Sequence, residues 1–402
     1  MRAAYPLDTA RSLRRAAGPD HTVDAMPSAA RRRASRVLAS ALLVLAVGTT
    51  PGSVARTTGE ITWTVAPGVE YRDWKFHTAA GPQHLHVLDI DPSVAGVSLD
   101  YLAHHRLRTR STTTRLLARD PAAVAAVNGS FFDIGDTGAP LGTGLSRTRG
   151  LLHAAAAGWN QAFYQAGDGS YHIGPLTSSA HLTGHPDWPV NGFNVPHARP
   201  DSITVYTAAW GNAAGRRVVD DPTAKVREVH VRKGIVRRNS RRPLGDRPFR
   251  GFLLLGVGAE AHVLRSLAIG TRLRAHWTPD QPTRMAITGS QVLVQGGTIV
   301  ATDDHVRAPR TAVGIDQDTG HILLLALDGR QTGATGLTTR AWGQVLAGLG
   351  IDDALNLDGG GSTTMVARDA SGTSTGVVNV PSLGHQRDLP DVLAVESRPP
   401  RG

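Results

Sequence analysis

The stretch from Ala354 to Met365 constrains this chain most, because a short apolar strand runs directly into three consecutive glycines. Strand alternation puts Leu355 and Leu357 on one face and Asn356 and Asp358 on the other. Such a strand buries one face and presents an amide and a carboxylate just before a flexible turn. The sequence therefore predicts a polar site at the end of a sheet.

The glycines Gly359, Gly360 and Gly361 allow the backbone to approach a ligand closely and to aim successive N–H groups at an anion. The hydroxyl groups of Ser362 and Thr363 follow directly and add donors. A glycine-rich turn with no ligand is the alternative interpretation. The carboxylate and the amide that precede the turn favour an anion-binding cradle.

Composition bounds the fold class. The chain has 402 residues, of which 41% are hydrophobic and 19% charged, so it can bury the core of one large or two smaller globular domains. It has 45 glycines and 24 prolines but only 5% aromatic residues, which favours many short strands and turns over long helices. We predict an α+β fold of mixed and antiparallel β-sheets with a few helices, forming a single catalytic domain.

The absence of cysteine excludes disulfides, thiolate nucleophiles and zinc–thiolate sites. Residues 1–55 hold eight arginines and three aspartates, so they carry +5 of the net charge of +10. The remaining +5 on residues 56–402 suits anionic partners without requiring them.

The first 55 residues have the pattern of a secretory signal peptide. Arg31, Arg32, Arg33 and Arg36 precede an apolar run at 37–47, and small residues at 53–55 suit cleavage. The run is too short to span a bilayer, so we expect a secreted protein of residues 56–402 without a membrane span. Met26 is an alternative start, and a retained membrane anchor is the alternative interpretation.

Several local elements follow from the pattern. Alternating segments at 85–90 and 97–102 predict a hairpin across Pro92, and 111–118 predicts a short helix with a hydroxyl cap. Residues 124–127 form a buried strand that leads into Asn128-Gly129, a pair that also forms turns.

The second half of the chain predicts another hairpin, from strands at 310–315 and 322–327. Pairing about its turn sets Arg310 opposite Ala326 and close to Asp328 and Arg330. Thr338 or Thr339 then caps a helix, and the next strand delivers Asp358.

The least informative region, around 200–282, contains a basic segment. Residues 232–250 hold eight basic side chains and one acid, Asp246. This segment predicts either a patch for a polyanion, such as a phosphate-rich cell-wall polymer, or a solvated hairpin face. Nucleic acid is not an expected partner, because no recognition motif or aromatic interleaving is present.

The run Asn356-Leu-Asp-Gly-Gly-Gly-Ser-Thr-Thr-Met365 resembles the signature of the phosphodiester glycosidase family. Further stretches resemble the family in order, at 127–133, 309–314, 327–330, 336–338 and 378–382. The resemblance implies a hydrolase that cleaves the glycosidic bond of a sugar phosphodiester, either a sugar 1-phosphate ester or a wall glycopolymer. A non-catalytic binding protein for anionic wall polymers that keeps the same fold is the alternative.

The resemblance and the predicted topology together give a candidate site. The catalytic candidates are Asp358, Asp328 and Arg310, and the substrate-binding candidates are Asn128, Arg330, Asn356, Gly359, Gly360, Gly361, Ser362 and Thr363. Arginines match phosphate geometry, and one carboxylate stabilises an oxocarbenium-like centre as nucleophile or as base. The chemistry requires no cofactor. A divalent cation shared by Asp358 and a phosphate is compatible with it, and 303–305 (Asp-Asp-His) is a weaker metal candidate.

Other reaction classes lack their motifs. No Lys-Ser/Thr pair follows the glycines as in a nucleotide-binding loop, and no Gly-x-Ser-x-Gly elbow is present. The chain also departs from the family: Ala341 replaces a helix-capping glutamate, Leu383 an aspartate and Gln386 a glutamate. If the last two acids touch substrate in the family, specificity differs here.

Overall fold

Short β-strands dominate the computed structural model, which describes residues 55–155 and 158–398. The predicted signal peptide lies outside the described residues except for its last residue, Ala55. In chain order the first strands and helix are β1 (Ala55–Ala66), β2 (Val69–Thr78), β3 (Gly81–Ile90), β4 (Val97–Ala103), α1 (Thr113–Leu117), β5 (Ala123–Asn128), β6 (Gly144–Ser146), β7 (Gly150–Ala155), β8 (Gln161–Ala166), β9 (Tyr171–Pro175), β10 (Ser178–Leu182), β11 (Val190–Phe193) and β12 (Ser202–Thr207). They are followed by β13 (Val226–Arg232), β14 (Ile235–Ser240), β15 (Phe252–Val257), α2 (Ala259–Val263), β16 (Ala275–Pro279), β17 (Thr283–Thr288), β18 (Gln291–Gln295), β19 (Thr298–Ile299), β20 (Arg310–Ile315), β21 (Ile322–Leu327), α3 (Thr339–Gly348), β22 (Asp353–Asn356), β23 (Met365–Arg368), β24 (Thr375–Val377) and β25 (Asp391–Ser397).

These strands form four sheets. An eight-stranded sheet has the order β1-β2-β3-β21-β20-β22-β18-β19, and a five-stranded sheet has the order β24-β23-β5-β25-β4. A ten-stranded sheet, β14-β13-β15-β12-β11-β7-β6-β17-β8-β9, and the pair β10-β16 complete the fold. Strands β11 and β12 pair in parallel, whereas the ladders of the eight- and five-stranded sheets are antiparallel. The predicted class of mixed and antiparallel sheets with few helices is confirmed.

The main core joins the eight-stranded and five-stranded sheets. Leu324 and Leu355 of the first sheet and Val127 and Leu393 of the second are buried in one apolar cluster. On its other face the eight-stranded sheet packs against α3, through a second cluster that contains Trp342. The central strands are therefore buried and apolar on both faces.

At one end of the main core this apolar layer becomes polar. On β3 the residues that share one face run from Ile90 and Leu88 in the core to His86 and His84. On β21 the same face runs from Ala326 to Asp328, which directly follows the strand. Neighbouring strands thus bring polar side chains to one end of the sandwich.

The predicted hairpin across Pro92 is wrong. Strands β3 and β4 belong to different sheets: β3 pairs with β2 and β21, whereas β4 pairs with β25. Because both edges of β3 are occupied, the chain cannot fold back beside it. The connection at 91–96 instead carries the chain across the core to the five-stranded sheet.

Three other local predictions are confirmed. Thr112 caps α1, Thr338 caps α3 by accepting a hydrogen bond from the Ala341 N–H at 3.2 Å, and β20 and β21 form the predicted hairpin. The expected register is wrong by one residue, since Arg310 lies opposite Leu327. The ladder closes at Ile315 and Ile322, and this pair sets the register.

The described residues, 55–155 and 158–398, fall in one compact unit. Within 55–155 and 158–398, no helix has the length and apolar character needed to cross a membrane.

Candidate active site

The glycine turn directly after β22 is the centre of the candidate site. Residues Gly360–Ser362 form a single 3₁₀ turn, and the backbone donors around it are largely engaged within the protein. The Gly359 N–H donates to Asp358 Oδ1 at 2.9 Å, and the Gly360 N–H donates to the Pro309 carbonyl at 2.8 Å. The N–H groups of Ser362 and Thr363 bond to carbonyls inside the turn. The expected backbone anion cradle therefore does not form from these four donors.

Two arginines flank this turn and supply the positive charge instead. A Cβ atom at Gly360 would lie 3.3 Å from Nη1 of Arg330, and one at Gly361 would overlap the Arg387 guanidinium. A side chain at Gly361 would therefore displace the Arg387 guanidinium, and the positive φ of 61° at Gly360 favours glycine there. Within the described chain, neither arginine has a carboxylate at ion-pair distance. Both charges are therefore available to an anionic ligand.

Arg387 is a site residue that the sequence prediction omitted. Its Nη1 donates to the Ser362 hydroxyl at 3.1 Å, which places its guanidinium over the turn. The signal that could have identified it is its position directly after Gln386, where the family pattern has a glutamate followed by an arginine. Arg330, which was predicted, is exposed and adopts a left-handed backbone conformation with φ of 59°.

Asp358 lies at the edge of the turn with part of its side chain accessible. Burial raises its pKa to about 6, although the Ser362 hydroxyl, the Arg387 charge and the Gly359 N–H oppose this effect. The carboxyl group is therefore ionised only above mildly acidic pH. A perturbed carboxylate beside two cations is typical of a reactive group.

Asn128 connects Asp358 to both sheets of the main core through hydrogen bonds. Its Nδ2 donates to the Asp358 carbonyl at 2.6 Å, and its Oδ1 accepts from the Thr311 hydroxyl at 2.7 Å and the Thr364 N–H at 3.1 Å. Asn128 is fully buried, and these bonds join the five-stranded sheet to the eight-stranded one. The contacts describe a residue that positions Asp358.

Asp328 is buried and bonded on both oxygens. Oδ1 accepts from Asn379 Nδ2 at 3.1 Å and the Val380 N–H at 3.0 Å. Oδ2 lies 3.2 Å from His84 Nδ1 and 3.1 Å from His86 Nε2. Burial alone would raise the pKa of Asp328, but hydrogen bonds from both histidines outweigh burial and hold the pKa well below its usual range. Asp328 therefore remains an ionised anchor for the segment at 379–380.

Arg310 and Asn356 lie on the helix-covered face of the sheet, away from Asp328. Arg310 Nε donates to the Leu337 carbonyl at 2.8 Å and Nη2 to the Val306 carbonyl at 2.5 Å. Burial lowers the pKa of Arg310, and the nearby Arg330 charge adds to this effect. Asn356 Nδ2 donates to the Ser290 hydroxyl at 2.9 Å. Arg310 pairs with neither predicted catalytic aspartate, and its contacts hold the loops around α3.

Asp391 is a second buried acid that was not predicted from the sequence. Its carboxylate accepts from the Ser130 N–H at 2.7 Å, the Ser130 hydroxyl at 2.6 Å and the Tyr101 hydroxyl at 3.1 Å. Burial raises the pKa of Asp391 to about 6, and the Asp358 charge contributes to the rise. The only sequence signal is a lone acid at the start of the apolar strand β25.

The departures from the family pattern have structural explanations. Gln386 Oε1 accepts from the Thr114 N–H at 3.1 Å, so this side chain supports the first turn of α1. Leu383 is 44% exposed and lies beside Gly361.

The loop at 303–305, a metal candidate in the sequence, supports the start of α3, because Asp304 accepts from the Thr338 hydroxyl at 2.6 Å. Among the described residues, the group with metal-ligand spacing is Asp73, His84 and His86.

Comparison with solved structures shows a shared fold. The chain is similar to a hypothetical protein from Synechocystis, with a TM-score of 0.69 and 21% identity over 85% of this chain and 64% of that one. It is also similar to a protein of Burkholderia pseudomallei K96243 named as exported, with a TM-score of 0.70 and 20% identity over 90% of this chain and 100% of that one. The chain thus spans less than two thirds of the Synechocystis protein, and likeness at these identities establishes the fold alone.

The zebrafish N-acetylglucosamine-1-phosphodiester alpha-N-acetylglucosaminidase catalytic domain also matches, with a TM-score of 0.44 and 18% identity over 85% of this chain and 89% of that one. No curated protein sequence matches the chain. The sequence pattern of the phosphodiester glycosidase family matches residues 208–396. This stretch contains Arg330, Asp358 and Arg387. The match confirms the resemblance to the phosphodiester glycosidase family that the motifs predicted.

Proposed function

We propose that this protein is a hydrolase that cleaves the glycosidic bond of a sugar phosphodiester, such as a sugar 1-phosphate ester or a wall glycopolymer. The observation that carries the proposal is the arrangement of Asp358 beside Arg330 and Arg387 at the glycine turn. The family match over 208–396 supports a hydrolase acting on sugar phosphodiesters. The arginines and the carboxylate provide the two functions that this reaction needs.

The arginines bind the phosphate and stabilise its departure. A phosphodiester carries one negative charge, and cleavage of the bond between C1 and oxygen leaves a phosphate monoester with a second charge developing. Guanidinium groups bind such oxygens through paired hydrogen bonds. Two guanidinium groups interact more strongly with the more highly charged leaving group, so they lower the barrier as well as bind substrate.

Asp358 acts on the sugar side of the bond. When the C1–O bond breaks, its electron pair goes to the phosphate oxygen, and a water oxygen becomes bonded to C1. The ionised Asp358 either attacks C1 first or takes the proton of that water. Because a phosphate ester is a good leaving group, departure needs little acid catalysis. Asn128 and Asp328 act on this step as positioning residues, through the contacts that hold Asp358 and segment 379–380.

We propose that the enzyme acts outside the cytoplasm, on the basis of the signal-peptide pattern in residues 1–55. Amino-terminal sequencing of protein from the culture medium should give a chain that begins near Arg56. A secreted chain that still contains residues 37–47 would contradict this part of the proposal.

The first prediction concerns which bond breaks. p-Nitrophenyl diesters of several sugar 1-phosphates, in both anomers, are incubated with the protein in ¹⁸O-labelled water. We expect free sugar that carries the label and unlabelled nitrophenyl phosphate. Release of nitrophenol with labelled sugar phosphate would show P–O cleavage and contradict the glycosidase mechanism.

Two variants make this measurement specific. Asp358→Asn keeps the shape and removes the charge, so we expect kcat to fall roughly 100-fold or more. Asp187→Asn changes an exposed aspartate and should leave kcat unchanged. If no diester is hydrolysed but the sugar phosphates still bind, the non-catalytic binding protein becomes the better description.

A further inference from the structure

We propose that Asp73, His84 and His86 form a binding site for a divalent transition-metal ion of the zinc type, a site apart from the glycine turn. Their ligand atoms all lie within 4.8 Å of one another. Asp73 Oδ2 is 3.1 Å from His84 Nε2 and 3.8 Å from His86 Nδ1. One carboxylate oxygen and two imidazole nitrogens at this spacing match a ligand set that zinc prefers.

The ligands come from two paired strands, so they are held in place before any ion arrives. His84 and His86 are two residues apart on β3 and therefore lie on the same face of the sheet. Asp73 on β2 is the cross-strand partner of His86. A site built on adjacent strands of a sheet is more rigid than one built on a loop. This rigidity makes the three side chains a preorganised ligand set.

The orientation of the two imidazoles gives an independent argument. Each ring turns its other nitrogen toward Asp328 Oδ2, at 3.2 Å for His84 Nδ1 and 3.1 Å for His86 Nε2. If these nitrogens carry the protons that bond to Asp328, then the lone pairs of His84 Nε2 and His86 Nδ1 face the Asp73 carboxylate. The Tyr71 O–H can donate to the His86 Nδ1 lone pair, but the His84 Nε2 lone pair and the Asp73 carboxylate, 3.1 Å apart, repel one another unless a metal ion or a proton lies between them.

A carboxylate that accepts the outer N–H groups of metal-binding histidines is a recurrent feature of zinc sites, where it fixes the tautomer and raises the basicity of the ligands. Asp328 occupies this position for both histidines at once. Tyr71 adds an oxygen on the inner side, with its hydroxyl 2.7 Å from His86 Nδ1 and 3.4 Å from Asp73 Oδ2. A fourth ligand is therefore at hand, either this hydroxyl or a water molecule.

An ion can reach the site from solvent. The side chains of Asp73 and His84 are 14% and 16% exposed, whereas His86 is buried. The partly open side faces Asp73, and the closed side faces Asp328. Binding would tie β2 and β3 to Asp328 and, through it, to the segment at 379–380. We therefore expect an ion at this site to stabilise the folded protein.

Zinc binding by the tag-free, chelator-treated full chain tests the proposal. Equilibrium dialysis with elemental analysis should give one Zn²⁺ per chain and no retained Mg²⁺, and Zn²⁺ should raise the melting temperature. Asp73→Asn and His84→Gln should each lower the Zn²⁺ affinity about 100-fold, and Asp328→Asn should lower it about 10-fold or more. Circular dichroism of each variant separates lost binding from lost folding.

A matched control excludes surface histidines as the source of binding. His181 and His276 are exposed and stack with ring centroids 5.0 Å apart, so His181→Gln with His276→Gln should leave Zn²⁺ affinity unchanged. Co²⁺ loaded in place of Zn²⁺ should give the visible absorption of a four-coordinate site in the control but not in Asp73→Asn. Failure of the folded wild-type chain to retain Zn²⁺, or equal loss in the control, would overturn the proposal and leave a protonated His84 between the two aspartates.

Discussion

Asp358 is a half-buried residue whose pKa is raised by burial and whose backbone is held from both directions. Its carbonyl accepts from Asn128, and its own N–H donates to the Gly129 carbonyl at 3.1 Å. The carboxylate is therefore oriented without being neutralised by a direct ion pair. Arg330 and Arg387 lie against the turn where Gly360 and Gly361 carry no side chains. At the scale of single residues, the site is a fixed carboxylate next to two guanidinium groups that lie against the glycine turn.

The pH dependence of turnover follows from the pKa of about 6 for Asp358. Because the ionised form is the nucleophile or base, kcat/KM should rise as pH increases through about 6 and level off above it. Sugar release between pH 4.5 and 8 measures this dependence. A rate that instead falls across this interval would assign Asp358 the role of general acid.

The two flanking arginines should act on both binding and turnover. Arg330→Gln and Arg387→Gln each remove a guanidinium beside the turn, so each should lower kcat/KM roughly 10- to 100-fold. Arg274→Gln, which changes an exposed arginine, serves as the control. Equal kcat/KM values for all three variants would place the phosphate elsewhere.

At the scale of elements, the basic segment contains one arginine that is paired with a buried acid and several that are exposed. Strand β14 is the edge strand of the ten-stranded sheet, and Arg238 pairs with the buried Glu228 at 3.1 Å. Arg237, Arg241 and Arg242 are exposed. Burial lowers the pKa of Arg227 on the neighbouring strand, and the Arg241 charge lowers it further. The outer face of this hairpin therefore carries uncompensated positive charge.

A polyanion would bind to this hairpin face through its charge alone. We propose that a variant with Gln at 237, 241 and 242 is retained less on an immobilised polyglycerol phosphate column at low salt, whereas turnover of a small diester is unchanged. Arg238→Gln is the contrasting variant, because it leaves Glu228 buried and should destabilise the fold by about 1–3 kcal/mol. Unchanged retention of the triple variant would leave the hairpin as an ordinary solvated face.

At the scale of the whole molecule, the site lowers stability near neutral pH. Burial raises the pKa values of both Asp358 and Asp391 to about 6, above the ordinary value of a carboxyl group. Between the ordinary value and about 6 the native state binds more protons than the unfolded state, so the stability from these groups falls as pH rises. Keeping these two carboxylates ionised near neutral pH therefore lowers the free energy of unfolding.

Asp358→Asn tests this cost separately from activity. At pH 7.5 the variant should unfold with a free energy about 1–2 kcal/mol higher than wild type, and at pH 4 the difference should vanish. Urea unfolding at the two pH values provides the measurement. A difference of the same size at both pH values would point to packing and not to charge.

Sequence reasoning succeeded where the signals are local. The cap at Thr338, the β20–β21 hairpin and the strand before the glycines depend on periodicity and on residues a few positions apart. The one-residue error at Arg310 arose because the number of residues in a turn depends on its hydrogen bonds, which the pattern does not specify.

The rest of the site depends on contacts between distant parts of the chain. His86 reaches Asp328 across 242 positions, and no periodic signal connects β3 to β21. The same limitation explains the wrong hairpin at 85–102, since only the full sheet shows that both edges of β3 are occupied. Strand alternation grouped Asn356 with Asp358, and the predicted hairpin brought Arg310 close to Asp328. Strand β22 ends at Asn356, so the alternation does not extend to Asp358, whose N–H bonds to the Gly129 carbonyl.

Strand β25 lies between β5 and β4, although it is the last strand of the described chain. It also delivers Asp391, the acceptor for Ser130 and Tyr101. During biosynthesis β4 and β5 emerge more than 260 positions before the strand that joins them. Strand β5 can pair with β23 first, whereas β4 has β25 as its neighbour in this sheet. The five-stranded sheet is therefore complete only after synthesis has passed residue 391, and Asp391 reaches Ser130 and Tyr101 at that stage.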